Sequence, residues 1–292
     1  MATETPAPPA PTAPHRRDVP RWLRTTGWYA LLLSLSTVVL FPIWMTFVRA
    51  LSNPVTWSFE RGQPPYPVDI EWDVFRRAFD EADFGRQLQI SLAVTVIVVA
   101  GQLITSVLAA YAFAFVEFPF KRVMFAICMA TLMLPIEVTL VANSRTIREL
   151  EWTNSLQGLT APFLATALGI FLIRQGFLGV PRDLRDAAAL DGFGHLQFLW
   201  RVAIPLTRPV IAAFTVLSFL SSWNGYLWPR AITDTSDWNT IQIGLRAVSN
   251  ANPDELNVGV AAALLAALPV LLILIFFQRH IVRGLTAGAV KG

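Results

Sequence analysis

Charge is scarce in this chain. Only 15% of its 292 residues are Asp, Glu, Lys or Arg, while 54% are hydrophobic; soluble domains carry about 25% charged residues. The deficit excludes a pair of ordinary water-soluble domains and implies a membrane protein. Cysteine occurs once, at Cys128. No internal disulfide can form, and the thiol, set in an apolar run, reads as a small buried hydrophobe. The three histidines, His15, His195 and His280, show no metal-ligand spacing. Lysine is found only at Lys121 and Lys291, and neither follows a glycine. A G-K-[ST] phosphate loop is therefore absent. If ATP drives this protein, another chain must bind it. No catalytic constellation is present either, so the chain alone is expected to be no enzyme.

What the sequence does have is long uncharged runs. A helix needs roughly 20 mostly apolar residues to cross a bilayer. Residues 25–48, 87–116, 152–173, 209–229 and 256–278 carry no charge, and 123–144 is broken only by Glu137. The pattern predicts an all-α integral membrane protein with six transmembrane helices within 25–280. Pro42, Pro135, Pro162 and Pro269 fall inside the runs, which membrane helices tolerate where neighbours satisfy the freed backbone groups. Placing the N-terminus inside puts fourteen of the 23 Lys and Arg on the cytosolic side. The positive-inside rule therefore favours both termini in the cytosol.

Residues 1–24 begin rich in proline and end rich in arginine. They cannot bury enough apolar surface to fold, which predicts a disordered cytosolic tail. The first apolar run is too long for a cleaved signal peptide and lacks a small-residue cleavage site, so it should stay as an anchor. The segment 51–86 is the longest external piece. Trp72, Phe75, Phe79 and Phe84 recur near helical spacing there. They predict one short amphipathic helix, lying on the membrane surface or serving as a docking face for an external partner.

The polar stretch 181–208 lies between the fourth and fifth runs, on the cytosolic side. Pro181 suits the start of a helix. Leu184, Ala187 and Ala188 share a face of it, and Gly192 and Gly194 permit a turn. Leu196, Leu199 and Val202 would line a second helix, closed by Pro205 and Pro209 before the next span. The expectation is a helix–turn–helix pair. Tethering by a membrane span on each side excludes a DNA-reading role and any nucleic-acid partner. An amphipathic loop on the headgroups and a lever inserting into a cytosolic partner both remain open on the residues alone.

The order Asp186-Ala187-Ala188-x-x-Asp191-Gly192, nine residues, then Val202-x-Ile204-Pro205 resembles the EAA loop of ATP-binding-cassette importer permeases. Asp186 stands where that family usually has Glu, and Phe193 where it usually has Ala. The tail Arg283-Gly284-Leu285-Thr286-Ala287-Gly288-Ala289-Val290-Lys291-Gly292 resembles the ending of the carbohydrate-uptake, maltose-type permeases. Leu134-Pro135-Ile136-Glu137-Val138, and Ser222-Trp223-Asn224-Gly225-Tyr226-Leu227-Trp228-Pro229, are similar to segments of glycerol-3-phosphate importer permeases.

The resemblance implies a permease subunit in the bacterial cytoplasmic (inner) membrane. It implies import of a sugar, glycerol 3-phosphate or a glycerophosphodiester. A second homologous permease chain would complete the path, and an external solute-binding protein would deliver substrate. A dimeric ATPase would hold ATP and Mg, with no cofactor in this chain. Coupling to that ATPase would run through Asp186, Ala187, Ala188, Asp191, Gly192, Leu196 and Leu199, and the tail 281–292 would reach toward it.

For the substrate path, ionisable and amide groups within spans are the candidates. Glu137 is a path group or one half of an ion pair with Arg145 or Arg174. Asn143 and Arg145 could meet a phosphate. Trp223, Asn224, Tyr226 and Trp228 would end the fifth span as path residues or as an aromatic belt. A secondary transporter driven by an ion gradient is the alternative, and the EAA-like loop and the tail argue against it.

Overall fold

Hydrocarbon offers a peptide group no partner, so a chain that crosses it has to close its hydrogen bonds within helices or a barrel. A computed structural model describes residues 21–81, 83–251 and 255–286, and among these the regular structure is helical. The helices are α1 (Arg21–Leu51), α2 (Val74–Glu81), α3 (Phe84–Phe115), α4 (Lys121–Ala130), α5 (Ile136–Glu149), α6 (Leu156–Thr160), α7 (Ala167–Leu178), α8 (Arg182–Leu190), α9 (His195–Phe198), α10 (Ile204–Trp223), α11 (Leu227–Ile232), α12 (Ile241–Ala251) and α13 (Leu256–Thr286). One isolated antiparallel bridge joins Ser52 and Ile70.

The described residues up to Thr46 form one unit and those from Phe47 onward another. In the first, α1 exposes Leu31, Leu35, Val38, Val39 and Phe41, a surface suited to lipid. In the second, α10 packs on α13, α3 and α7, and α3 packs on α7. The tail predicted for 1–24 lies outside the described residues up to position 20, and Arg21–Arg24 already belong to α1. At the other end α13 continues to Thr286, and positions 287–292 lie outside the described residues.

Four helical stretches are long and apolar enough to cross a membrane: Thr25–Leu51, Phe84–Phe115, His195–Trp223 and Leu256–Gln278. Two bent pairs bring the number to six if each pair is one span. The run expected as a straight third span is instead Lys121–Met133 followed by Glu137–Glu149, with 99° between the halves. Pro135 is the cause. It forces Leu134 into an extended conformation (φ −83°, ψ 114°), as a residue before proline must be. The fourth run is bent by 47° between Leu156–Phe163 and Ala167–Leu178, next to Pro162.

The break in the fourth span frees carbonyls that must be satisfied internally. Gln102 on α3 donates from Nε2 to the Phe163 carbonyl (2.9 Å). Thr105, one turn on, donates to the Leu164 carbonyl (2.9 Å). The Gln102 carbonyl oxygen accepts from Ser218 on α10 (2.7 Å). Gly101 makes this approach possible, since a Cβ there would stand 2.6 Å from Leu164 Cδ2. Trp228 in α11 donates from its indole to the Gly158 carbonyl (3.1 Å).

The segment between α1 and α3 is held differently. Glu71 accepts from Asn53 (3.0 Å) and from Asn257 (2.9 Å), and it pairs with Arg77. Asn257 is 1% exposed, so its amide depends on that carboxylate. The helix expected from Trp72 to Phe84 is the shorter α2, which buries Val74 and Ala78 completely. The aromatics around it do not share one environment: Trp72 and Phe79 are exposed, and Phe84 is buried and opens the next helix. The burial of Val74 and Ala78 points α2 at its own protein, where it packs on α13 and α3.

Gln102→Leu should leave the Phe163 carbonyl and the Ser218 hydroxyl without these partners. The expected loss is about 1–2 kcal/mol, read as a lower unfolding midpoint in detergent. An unchanged midpoint would show that the break does not need this amide.

Candidate functional site

The loop between α7 and α10 starts where Pro181 (φ −57°, ψ 137°) caps α8. Its end is a Schellman motif. Phe193 N–H donates to the Ala188 carbonyl (2.8 Å) and Gly192 N–H to the Ala189 carbonyl (3.0 Å), the two bonds that define that motif. Gly192 takes φ +80°, a left-handed conformation that glycine adopts without a Cβ penalty. Gly194 has an ordinary φ of −75° and caps α9, so only the first glycine is required by the backbone.

The second arm departs from the sequence expectation. It is not a separate helix closed by Pro205 and Pro209. From His195 the chain runs through a wide π-type turn, Leu199–Ala203, directly into α10. Pro205 lacks an N–H for the Arg201 carbonyl, and its ring would crowd that carbonyl in a regular helix. The wide turn at that point relieves both problems. The helical stretch that carries the fifth candidate span therefore begins inside the loop, at His195, and ends at Trp223.

Burial sorts the loop residues. Ala188 (7% exposed) and Leu199 (0%) face inward with Phe198 and Ala203. They share one apolar cluster with Tyr111 and Phe115 of α3, Ile173 and Phe177 of α7, and Phe214 of α10. Leu199 thus packs on its own spans rather than on the outer face. Asp186, Ala187, Asp191, Gly192 and Leu196 are exposed. Leu190 (90% exposed) and Trp200 (66%) join Leu196 (67%) as exposed apolar side chains. Sequence reasoning missed Leu190 and Trp200, whose neighbours in sequence are mostly apolar and give no sign of exposure. Two arginines lie over aromatic rings, Arg185 over Phe115 (6.0 Å) and Arg201 over Phe193 (5.8 Å).

The proposed path residues separate into two groups. Trp223 is 2% exposed, stacks on Phe219 and donates to the Ala266 carbonyl (3.1 Å). Trp228 is 5% exposed and edge-on to Phe163. Both indoles pin helices together, and neither forms a belt at a span end. Asn224 is exposed and donates to the Leu220 carbonyl (2.9 Å), capping α10. Tyr226, in the short connection to α11, has the Arg246 guanidinium 4.3 Å from its ring centroid. Arg246 was not singled out from the sequence, because α12 carries no motif.

Glu137 is exposed in the first turn of α5, where a carboxylate favours the helix dipole. It pairs with neither expected arginine. Arg145 bonds Glu149 (2.8 Å), one turn along its own helix. Arg174 donates to the Phe113 carbonyl (3.2 Å) and lies 4.2 Å over the Phe125 ring. Asn143 is half-buried on α5. That helix packs against α11, and Arg148 donates across to the Ala231 carbonyl (2.9 Å). The structure thus joins α5 to the Tyr226 connection through α11. Among the described residues no group of His, Cys, Asp or Glu could hold a metal ion.

Comparison with known proteins agrees with this architecture. Residues 102–287 match the family described as "Binding-protein-dependent transport system inner membrane component". The sn-glycerol-3-phosphate transport system permease protein UgpE of Yersinia enterocolitica is 32% identical over 265 residues, 88% of this chain and 94% of that protein. Its Brucella abortus counterpart is 33% identical over 273 residues, covering 89% and 94%. Among solved structures, a bacterial ABC transporter involved in the import of the acidic polysaccharide alginate superposes with TM-score 0.74 at 25% identity. It covers 89% of this chain and 98% of the matched one. The relatives are transport permeases and not enzymes. The chain belongs to the inner membrane components of binding-protein-dependent transport systems.

Gly192→Val should strain the Schellman turn by about 1–2 kcal/mol, although no atom blocks a Cβ there. Faster amide exchange at 192 and 193, with little change in global unfolding, is the expected result. Unchanged exchange would mean the turn tolerates a β-branched residue.

Proposed function

We propose that this permease subunit imports an anionic, hydroxyl-rich solute of the glycerol 3-phosphate type. The observation that carries this is the match to glycerol-3-phosphate permeases over some 94% of their length. The solved relative, too, imports an acidic substrate. The chain forms half of the path, and a second homologous permease forms the rest. Both termini lie in the cytosol, and a binding protein loads the complex from outside. The exposed face of α8 and its turn, with Asp186, Ala187, Asp191, Gly192, Leu190, Leu196 and Trp200, docks on an ATPase dimer that binds ATP and Mg.

On the outer side the substrate meets Asn224 and Tyr226, with Arg246 supplying the positive charge. Arg246 suits this because, among the described residues, no carboxylate lies within ion-pair distance of it, whereas Arg145 is engaged by Glu149. Glu137 and Asn143 border the same region through α5.

Thermal shift of the cognate binding protein tests the substrate class. Glycerol 3-phosphate or a glycerophosphodiester should raise its midpoint, and a neutral disaccharide should not; the reverse pattern would sink the anionic reading. In the reconstituted importer, Arg246→Gln should slow uptake of glycerol 3-phosphate about tenfold, the scale of one lost charge-assisted bond. Unaltered uptake would remove Arg246 from the path. For coupling, Gly192→Val should keep assembly but lower the number of molecules imported per ATP hydrolysed.

A further inference from the structure

We propose that Tyr111 is a positioning residue for coupling: through His195 it fixes the start of the fifth span to α3. A push on the cytosolic loop is then delivered to several spans at once. This rests on the reading of the 181–205 segment as the docking loop for the ATPase.

The geometry begins with a weakness. α8 and α9 are joined by a turn in which neither Gly192 nor Gly194 has an atom within 4 Å of a built Cβ. Of the turn's own side chains only Phe193 reaches the apolar cluster beneath; the two glycines on either side of it add no packing. A force on the exposed face of α8 would bend such a joint unless both arms were held elsewhere.

They are held on the inner face. Tyr111 is 7% exposed. Its ring lies 5.2 Å from Phe115, 6.3 Å from Phe177 and 6.5 Å from Phe198. Phe115 in turn meets Phe177 at 5.8 Å and Phe198 at 5.3 Å. Ala188 of α8 belongs to the same cluster. Both arms of the loop therefore close on rings contributed by α3 and α7.

Apolar contact of this kind is non-directional. Rings of similar size would let α9 slide or rotate against α3 with little penalty. One interaction in the cluster has a direction. The Tyr111 hydroxyl lies 3.0 Å from His195 Nδ1, hydrogen-bonded across 84 positions of sequence. The two rings meet edge-on, at 5.9 Å and 84°. This bond sets the register of the first turn of the fifth span on α3. His195 is the residue at which that span begins, so holding it holds the root of the span and not merely the loop.

The test uses the complete importer in proteoliposomes: both permeases, the ATPase dimer and the binding protein, with glycerol 3-phosphate as the probe. Tyr111→Phe removes only the hydroxyl, and His195→Phe keeps a ring without its nitrogens. Each should leave assembly intact and lower molecules imported per ATP by about two- to tenfold, the span of one hydrogen bond. The double variant should lose no more than either single one, because both remove the same bond. His195→Gln, whose amide can still reach the hydroxyl, should recover most of the ratio. A purely structural role would lower uptake and ATP hydrolysis together and leave their ratio unchanged, and that result overturns the proposal. So does an additive double variant. Gly192→Val serves as the control on the loop itself. If it uncouples while Tyr111→Phe does not, the docking loop stands and the Tyr111 assignment falls. If neither uncouples, both fall.

Discussion

A carbonyl released by a bend inside the membrane has to find a donor within the protein, and at the fourth span the packing of this permease follows from that demand. The fourth span breaks beside Pro162, and Gln102 and Thr105 of α3 meet the two carbonyls it releases. Because Gln102 also accepts from Ser218, one amide ties three helices. Gly101 exists in the service of the same contact, since any side chain there would hold α3 away from Leu164. The indole of Trp228 extends the principle to α11, which it fixes to Gly158.

The loop between α7 and α10 has two faces of different character. Ala188, Phe198 and Leu199 belong to the interior, while Leu190, Leu196 and Trp200 lie in the open. An exposed apolar group flanked by Asp186 and Asp191 suits docking on another protein, where large side chains at the centre of an interface carry most of the binding energy. The inward face is aromatic and closely packed, which suits transmission of movement. On the proposed docking role, a single short segment is both a contact surface and the root of a helix.

Much of this was legible in the sequence, and what was not has physical causes. Uncharged runs located the helices because charge is what hydrocarbon excludes. The loop was legible because its alanines, aspartates and glycine keep a fixed spacing, and Gly192 does adopt the conformation only glycine takes easily. The bend at Pro135 was underestimated, because one proline in an apolar run does not reveal whether neighbours will straighten it. Trp223 and Trp228 looked like interfacial residues, yet each indole found a carbonyl inside the bundle. Such partners lie 43 and 70 positions away, beyond any local pattern. Arg246 escaped notice for the same reason: its significance comes from Tyr226, which only the fold brings near. The Tyr111–His195 bond joins two helices that share no motif.

The clasp around Glu71 bears on how the protein is made. Glu71 accepts from Asn53 and Asn257, and the second donor is 186 positions downstream. Asn257 stands at the start of the last span, so the ribosome must deliver nearly the whole chain before the clasp can close. Until then Glu71 has only Asn53 and Arg77 for company, both close in sequence. The segment between α1 and α3 is therefore completed late although it is synthesised early. A chain truncated before α13 would lack the Asn257 contact and leave that segment tied only by neighbours close in sequence.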